Sequence, residues 1–194
     1  MRTTHNKFAM SRRRKNVISA VAMAAALVFI WLDHSCISNK WQPQTQSTEG
    51  IKSSDFEKYH AKTFAVVKVV DGDTLDIDIP DGKYDHTRIR LLGIDTPETK
   101  NPHTGVMYFG PEAFEFAGKM ALGKPVGVYL DTISPTRDKY SRLLAYIKLP
   151  GDTILNETLL TEGFAYADLQ FRHSFYNRYR QLESIARSSK KGLW

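Results

Sequence analysis

Phe64-Ala-Val-Val-Lys-Val-Val-Asp-Gly-Asp-Thr-Leu-Asp-Ile-Asp-Ile79 begins as a run rich in β-branched residues and ends as a strict alternation of apolar and charged ones. Phe64–Val70 has the composition of a strand. Leu75–Ile79 has the period of two that gives a strand one dry face and one wet face. Between them Asp71-Gly72 is ordinary turn chemistry, since glycine takes the backbone angles that a tight reversal needs. Two strands closed by so short a connection predict an antiparallel hairpin. Pro80-Asp81-Gly82 ends the second strand, and a third is predicted over about Thr87–Leu92, which makes a meander.

Further along, Gly110-Pro111-Glu112 reads as a helix start, with proline at the first position and an acid in the first turn. Ala113, Phe116, Ala117 and Met120 give that helix one apolar stripe. Val126–Leu130 and Leu143–Leu149 read as two more strands. A short helix is predicted over Leu155–Glu162, stopped by Gly163. A last helix is predicted over Ser174–Ser189, with Phe175, Tyr179, Leu182, Ile185 and Ala186 on one face and Gly192 placed to end it. The expected fold is mainly β with helices (α+β): a five-stranded OB-fold Greek-key barrel with three helices, preceded by an N-terminal hydrophobic segment.

The chain has 194 residues, enough for one domain of about 130 residues plus appendages. Its formal charge of +6 invites a nucleic-acid reading, but the excess is not in the domain. Residues 1–15 carry Arg2, Lys7, Arg12, Arg13, Arg14 and Lys15 and no acid, which leaves 21 basic and 21 acidic residues in the remainder. Attraction of the domain for phosphate must therefore come from local placement of charge. The basic tail, 1–15, runs into the uncharged and largely apolar residues 16–32, in the order of a signal sequence. Asp33-His34-Ser35-Cys36 offers no small-x-small cleavage site, which favours an uncleaved signal anchor over a cleaved signal peptide. Cys36 is the only cysteine, so no intramolecular disulfide forms. Asp33 and His34 depart from the apolar, small residues of a lipidation signal. Residues 33–61, polar and without sustained periodicity, read as a flexible linker, and the folded domain as 62–194. The expectation is a domain anchored through 16–32 on the extracytoplasmic side of a membrane, or secreted if that segment is cut.

Two acidic clusters carry the chemistry: Asp71-Gly72-Asp73-Thr74, and Arg90-Leu-Leu-Gly-Ile-Asp95-Thr96-Pro97-Glu98-Thr99. Taken alone, the first is a turn, and in extended backbone Asp71 and Asp73 would share a face. Pro97 keeps Thr96 out of helical geometry. A carboxylate from each cluster with the Thr96 carbonyl would form half a cage of hard oxygen ligands, suited to calcium or magnesium. Glu98 is near enough to orient or deprotonate a water, or is simply a solvated loop acid. An arginine fork fits phosphate, and either Arg88 or Arg90 could face the site. His60, His86 and His103 have no metal-ligand spacing.

With these clusters in hand, the chain resembles the staphylococcal nuclease (thermonuclease) family over about residues 62–194. The resemblance is carried by Val69–Thr74, Arg90–Thr99, Gly105-Val106 with Phe109–Ala113, Asp138-Lys-Tyr-Ser-Arg142 with Leu144-Ala-Tyr146, Asn156-Glu157 and Lys191-Gly-Leu-Trp194. It implies an OB barrel with three helices. It implies Ca2+ held by Asp73, Asp95 and the Thr96 carbonyl, with Asp71 an acid just outside them. It implies Arg90 and Arg142 on the scissile phosphate, Glu98 as general base, and Lys139 and Tyr140 at a terminal phosphate of bound nucleotide. The implied reaction is calcium-dependent hydrolysis of DNA and/or RNA to 3′-phosphate and 5′-hydroxyl ends, by a monomer with no obligate protein partner. Two departures stand out: Ser141 replaces a frequent glycine, and Leu169 and Phe171 stand where the family has base-packing tyrosines, with Tyr166 or Tyr176 as substitutes if the loop differs. The rival readings are a noncatalytic OB module that binds nucleic acid or protein, and a membrane-bound scaffold. The presence of Asp73, Asp95, Glu98, Arg90 and Arg142 together favours catalysis.

Overall fold

The predicted hairpin forms, with β1 (Lys62–Asp71) and β2 (Thr74–Ile77) antiparallel in the register Val69↔Leu75 and Asp71↔Thr74. The computed structural model describes residues 45–99 and 105–194. The basic tail, the segment 16–32, Cys36 and His103 lie outside the described residues. β3 (Thr87–Leu91) pairs with β2, Leu75 opposite Ile89. β5 (Pro125–Tyr129) and β6 (Leu143–Lys148) complete a closed barrel in the order β1-β2-β3-β6-β5. Five strands close as the sequence predicts. The β3–β6 contact is parallel, Ile89 beside Leu143 and Arg90 beside Leu144.

Alternation fills the barrel. Val66, Leu75, Ile77, Ile89, Val126, Val128, Leu143 and Ile147 point inward and are almost fully buried, each worth about 1.5–3 kcal/mol of transfer free energy. Two short strands fall outside the predicted set. β4 (Ile94–Asp95) and β7 (Tyr166–Ala167) form a separate two-stranded sheet, with Asp95 opposite Tyr166. It fixes the backbone of the second acidic cluster.

Among the described residues four helices are present rather than three. The additional one, α1 (Thr45–Tyr59), lies in the segment expected to be a flexible linker. It has no apolar stripe to announce it. Polar groups and two aromatics dock it: Asp55 is 4% exposed and receives bonds from Thr136 and Arg137, Phe56 packs half-buried against the core, and Tyr59 is fully buried with its hydroxyl 3.1 Å from Thr87 Oγ1. Ala61, at φ 57°, turns the chain into β1, and its N–H donates to Val128 O at 2.8 Å. The ordered domain thus begins before residue 62.

α2 (Gly110–Ala121) packs Ala113, Ala117 and Ala121 inward. α3 (Leu155–Thr161) packs against α4 (Tyr176–Ser188). On α4, Tyr179 and Ala186 are buried but Ile185 is half exposed, against the predicted stripe. It lies six residues from Tyr179, about 120° around the helix and off the docking face. The C-terminal Lys191-Gly-Leu-Trp194 closes on the end of α3. Leu193 N–H donates to Gly163 O at 2.9 Å, and a Cβ at Gly192 would meet that same oxygen at 2.2 Å. Only glycine permits that approach.

Candidate active site

Asp71-Gly72-Asp73-Thr74 is both a turn and part of the site. It reverses β1 into β2, and Asp73 turns inward to 6% exposure. Its Oδ2 accepts from the backbone N–H of Thr96 (2.9 Å) and from the Thr96 hydroxyl (3.1 Å), while its Oδ1 accepts from Thr74 Oγ1 (2.9 Å). Gly72 is required by the same contact, since a Cβ there would sit 2.8 Å from Thr96 Oγ1 and 3.1 Å from Ala113 Cβ. The two clusters are therefore interlocked. Asp71 does not duplicate Asp73. Its Oδ1 accepts from Gly72 N–H and from Thr99 Oγ1 (3.0 Å), because the tight turn has replaced the extended backbone that would have aligned the two acids.

The arginine ambiguity is resolved by register. Arg88 stands opposite Asp76 and pairs with it through both nitrogens, 2.8 and 3.0 Å. Arg90, two residues on, reaches the acids: Nη2 donates to Asp95 Oδ1 at 2.6 Å, and Nη1 forms a close ion pair with Asp73, not aligned for a hydrogen bond. The N-terminus of α2 abuts the second cluster, where Met107 N–H donates to Glu98 O and a Cβ at Gly110 would meet that oxygen at 2.9 Å.

The charges do not balance. Four carboxylates, Asp71, Asp73, Asp95 and Glu98, act on one another here, and Arg90 pairs with two of them, Asp73 and Asp95. Burial pushes Asp95 above the usual carboxylate range, with Asp73 and Asp168 adding to the rise and Arg90 opposing it. Glu98 is also raised, first by burial and then by Asp71, Asp73 and Asp95. Excess negative charge with all-oxygen donors is the environment a hard divalent cation fits. Asp73 and Asp95, both paired with Arg90, are carboxylates that could hold one. Among the described residues no three His, Cys, Asp or Glu side chains form a metal cluster.

Arg142, Lys139 and Tyr140 are not drawn into the acidic cluster. They lie on the tight loop before β6, wrapped around Asp138. The Asp138 carboxylate accepts from Tyr140 N–H, Arg142 N–H and Arg142 Nε (2.9, 2.9 and 2.7 Å). Ser141 occupies a left-handed conformation, φ 64°, which glycine would adopt without strain. Because Ile89 stands beside Leu143, the parallel register brings Arg142 next to Arg88 at the start of the ladder. Leu169 and Phe171 are exposed. Tyr166 is held edge-on to Trp194, and the Tyr176 hydroxyl is bonded to Leu169 O.

Sequence reading missed Arg137. Its guanidinium binds Asp55 of α1 through Nε and Nη2 (2.9 and 2.7 Å), Asp81 of the β2–β3 connection (2.6 Å) and the carbonyl of Ser141 (3.1 Å). No local pattern identifies these partners. His173 was missed as well. It is 4% exposed, with Nδ1 3.0 Å from the Tyr146 hydroxyl, and its Nε2 finds no partner among the described residues.

Residues 88–194 match the family described as Staphylococcal nuclease homologue. The chain is 35% identical over 144 residues to the Thermonuclease of Staphylococcus hyicus, covering 74% of this chain and 82% of that one. It is 36% identical to the Thermonuclease of Staphylococcus intermedius over 140 residues, 69% and 76% of the two chains. It is 32% identical over 159 residues to Endonuclease YncB of Bacillus subtilis (strain 168), 81% of this chain and 72% of that one.

Proposed function

The chain belongs to the staphylococcal nuclease family, and from that premise we propose that it is a calcium-dependent nuclease of DNA, RNA or both, leaving 3′-phosphate and 5′-hydroxyl ends. The observation that carries the reading is the convergence of Asp73, Asp95 and Arg90 on one another, with Glu98 beside them. When bound, the ion supplies Lewis-acid polarisation of a phosphate oxygen. Asp73, Asp95 and the Thr96 carbonyl would hold it, and Asp71 keeps the turn in place. Arg90 neutralises both carboxylates in this structure. Its planar fork fits two oxygens of a phosphate. Glu98 takes a proton from water as the water oxygen bonds to phosphorus. The P–O5′ bond breaks, the 5′-oxygen takes a proton from solvent water to leave as a hydroxyl, and Glu98 returns its proton to solvent. Arg142 stabilises charge that grows on the phosphoryl oxygens. Lys139 and Tyr140 meet a phosphate further along the strand.

We place the domain outside the cytoplasmic membrane, as a monomer tethered by residues 16–32. No helix among the described residues is long and apolar enough to cross a membrane, and residues 16–32 are not among them. A reporter fused after Trp194 tests the topology, and activity of a cytoplasm-only reporter would overturn it.

The nuclease reading is tested by incubating plasmid DNA and a structured RNA with the protein in calcium and in chelator, followed by end-group analysis of the products. Cleavage in calcium alone, with 3′-phosphate ends, is expected. Cleavage unaffected by chelator, or products with 5′-phosphates, would defeat it.

A further inference from the structure

The connection between β2 and β3 and the loop before β6 face one another across an open groove of about 710 Å³. Tyr84, on the turn, is 64% exposed, and Tyr140, on the loop, is 68% exposed. Both rings line this groove, and a cation lies over each: Lys83 Nζ is 5.3 Å from the Tyr84 centroid, Lys139 Nζ is 4.9 Å from that of Tyr140, and the Arg142 guanidinium is 5.5 Å from the same ring. Arg88 and Arg142 also line the groove.

Exposed tyrosines on turns are usually just solvated. Two features set these apart. The walls are held in position, because Arg137 binds Asp81 on one wall and the Ser141 carbonyl on the other, with Asp55 of α1 behind it. The groove is also tied to the candidate site through β3 and through Arg142, which lines it. Arg90 reaches the acids, Arg88 reaches the groove, and they are neighbours on one face of β3, about 7 Å apart. The groove is not strongly basic, since Asp76, Asp138 and the pair Asp55 and Asp81 already neutralise Arg88, Arg142 and Arg137. Recognition here must rest more on aromatic faces than on net charge. In a duplex the base faces are already stacked on one another, and an unpaired base offers its own.

We propose that this groove binds an unpaired nucleotide of the substrate strand adjacent to the scissile phosphate, its base stacked on Tyr84 and its phosphate toward Lys139 and Tyr140. The inference rests on the nuclease reading above. It makes Tyr84 a specificity-determining residue for single-stranded nucleic acid, and the strand enters along β3 toward the turn.

The test is equilibrium binding of a fluorescent single-stranded oligonucleotide and of a hairpin duplex to the full chain in detergent, with chelator present so that nothing is cut. Tyr84→Ala should weaken binding of the single strand about tenfold and leave the duplex unchanged, with Tyr84→Phe close to wild type. The substitution should not unfold the turn, whose bonds between Asp81 and Tyr84 are backbone to backbone, 2.9 and 3.1 Å. In calcium, Tyr84→Ala should raise KM for the single strand and leave kcat within about twofold. Equal binding by wild type and Tyr84→Ala would overturn the proposal even if the wild type cuts. A wild type that cuts nothing but shows Tyr84-dependent binding would overturn the nuclease reading and leave the groove standing.

Discussion

Thr96 donates both its backbone N–H and its hydroxyl to one oxygen of Asp73, 23 residues earlier in the chain. The β1–β2 turn and the β4 loop are thereby a single unit. Thr96→Val removes the hydroxyl bond to a carboxylate and keeps the shape. The expected cost is about 2 kcal/mol of stability, read as a shifted denaturation midpoint, with a fall in cleavage because Asp73 loses its alignment. Thr96→Ser should retain most of both. An unshifted midpoint in Thr96→Val would show that the hydroxyl contributes nothing.

The two proposed phosphate arginines should fail differently. Among the described residues Arg142 makes its ion pair with Asp138 on a loop, so Arg142→Ala is expected to change stability by no more than about 0.5–1 kcal/mol and to lower kcat by roughly 100- to 1,000-fold. Arg90 is the cation between Asp73 and Asp95. Arg90→Ala should abolish cleavage and also cost about 3 kcal/mol in chelator, part of it recovered on adding calcium. Thermal melts of both variants with and without calcium check this, and wild-type rates in either would sink the assignment.

Asp55 on α1 is the anchor for Arg137. Asp55→Asn is expected to lower stability by about 3 kcal/mol and to raise KM for single-stranded substrate, because Arg137 positions Asp81 and Ser141 on the two groove walls. A chain beginning at residue 62 should unfold at lower denaturant than one beginning at residue 45. Equal midpoints would mean that α1 is a passive tether after all.

His173 gives the fold an acid-sensitive point. Burial holds it below the ordinary histidine value, with Asp131 and Asp168 only partly opposing. Its neighbours are the Tyr146 hydroxyl and the rings of Tyr176 and Tyr179. The folded state binds this proton less readily than the unfolded chain. Stability should therefore fall as pH drops below about 6.5 and level off once pH passes the folded value. Each unit of depression is worth about 1.4 kcal/mol. Melting temperature against pH for wild type and His173→Asn measures it; parallel curves would remove His173 as the cause.

Much of this was legible in the sequence. The hairpin from Phe64 to Ile79 and the strands near Thr87, Val126 and Leu143 follow from period-two alternation between Gly- and Pro-bearing breaks. α1 was not legible, because it docks through Asp55, Lys52 and Tyr59 rather than an apolar stripe. β4 and β7, two residues each, are too short to show any period. Ile185 has the right residue type for the core and the wrong angle around α4.

The barrel strands, the turn chemistry at Asp71-Gly72 and the supply of acids and arginines are local properties, because propensity and side-chain period act over a few neighbouring residues. Which charges meet depends on the folded chain. Arg88 takes Asp76 and Arg90 takes Asp73 and Asp95 because strand register sets which side chains lie opposite one another. Arg137 joins Asp55, Asp81 and Ser141 because barrel closure brings together groups up to 82 residues apart. Pairing at such separations depends on how the chain closes on itself, which no local pattern encodes.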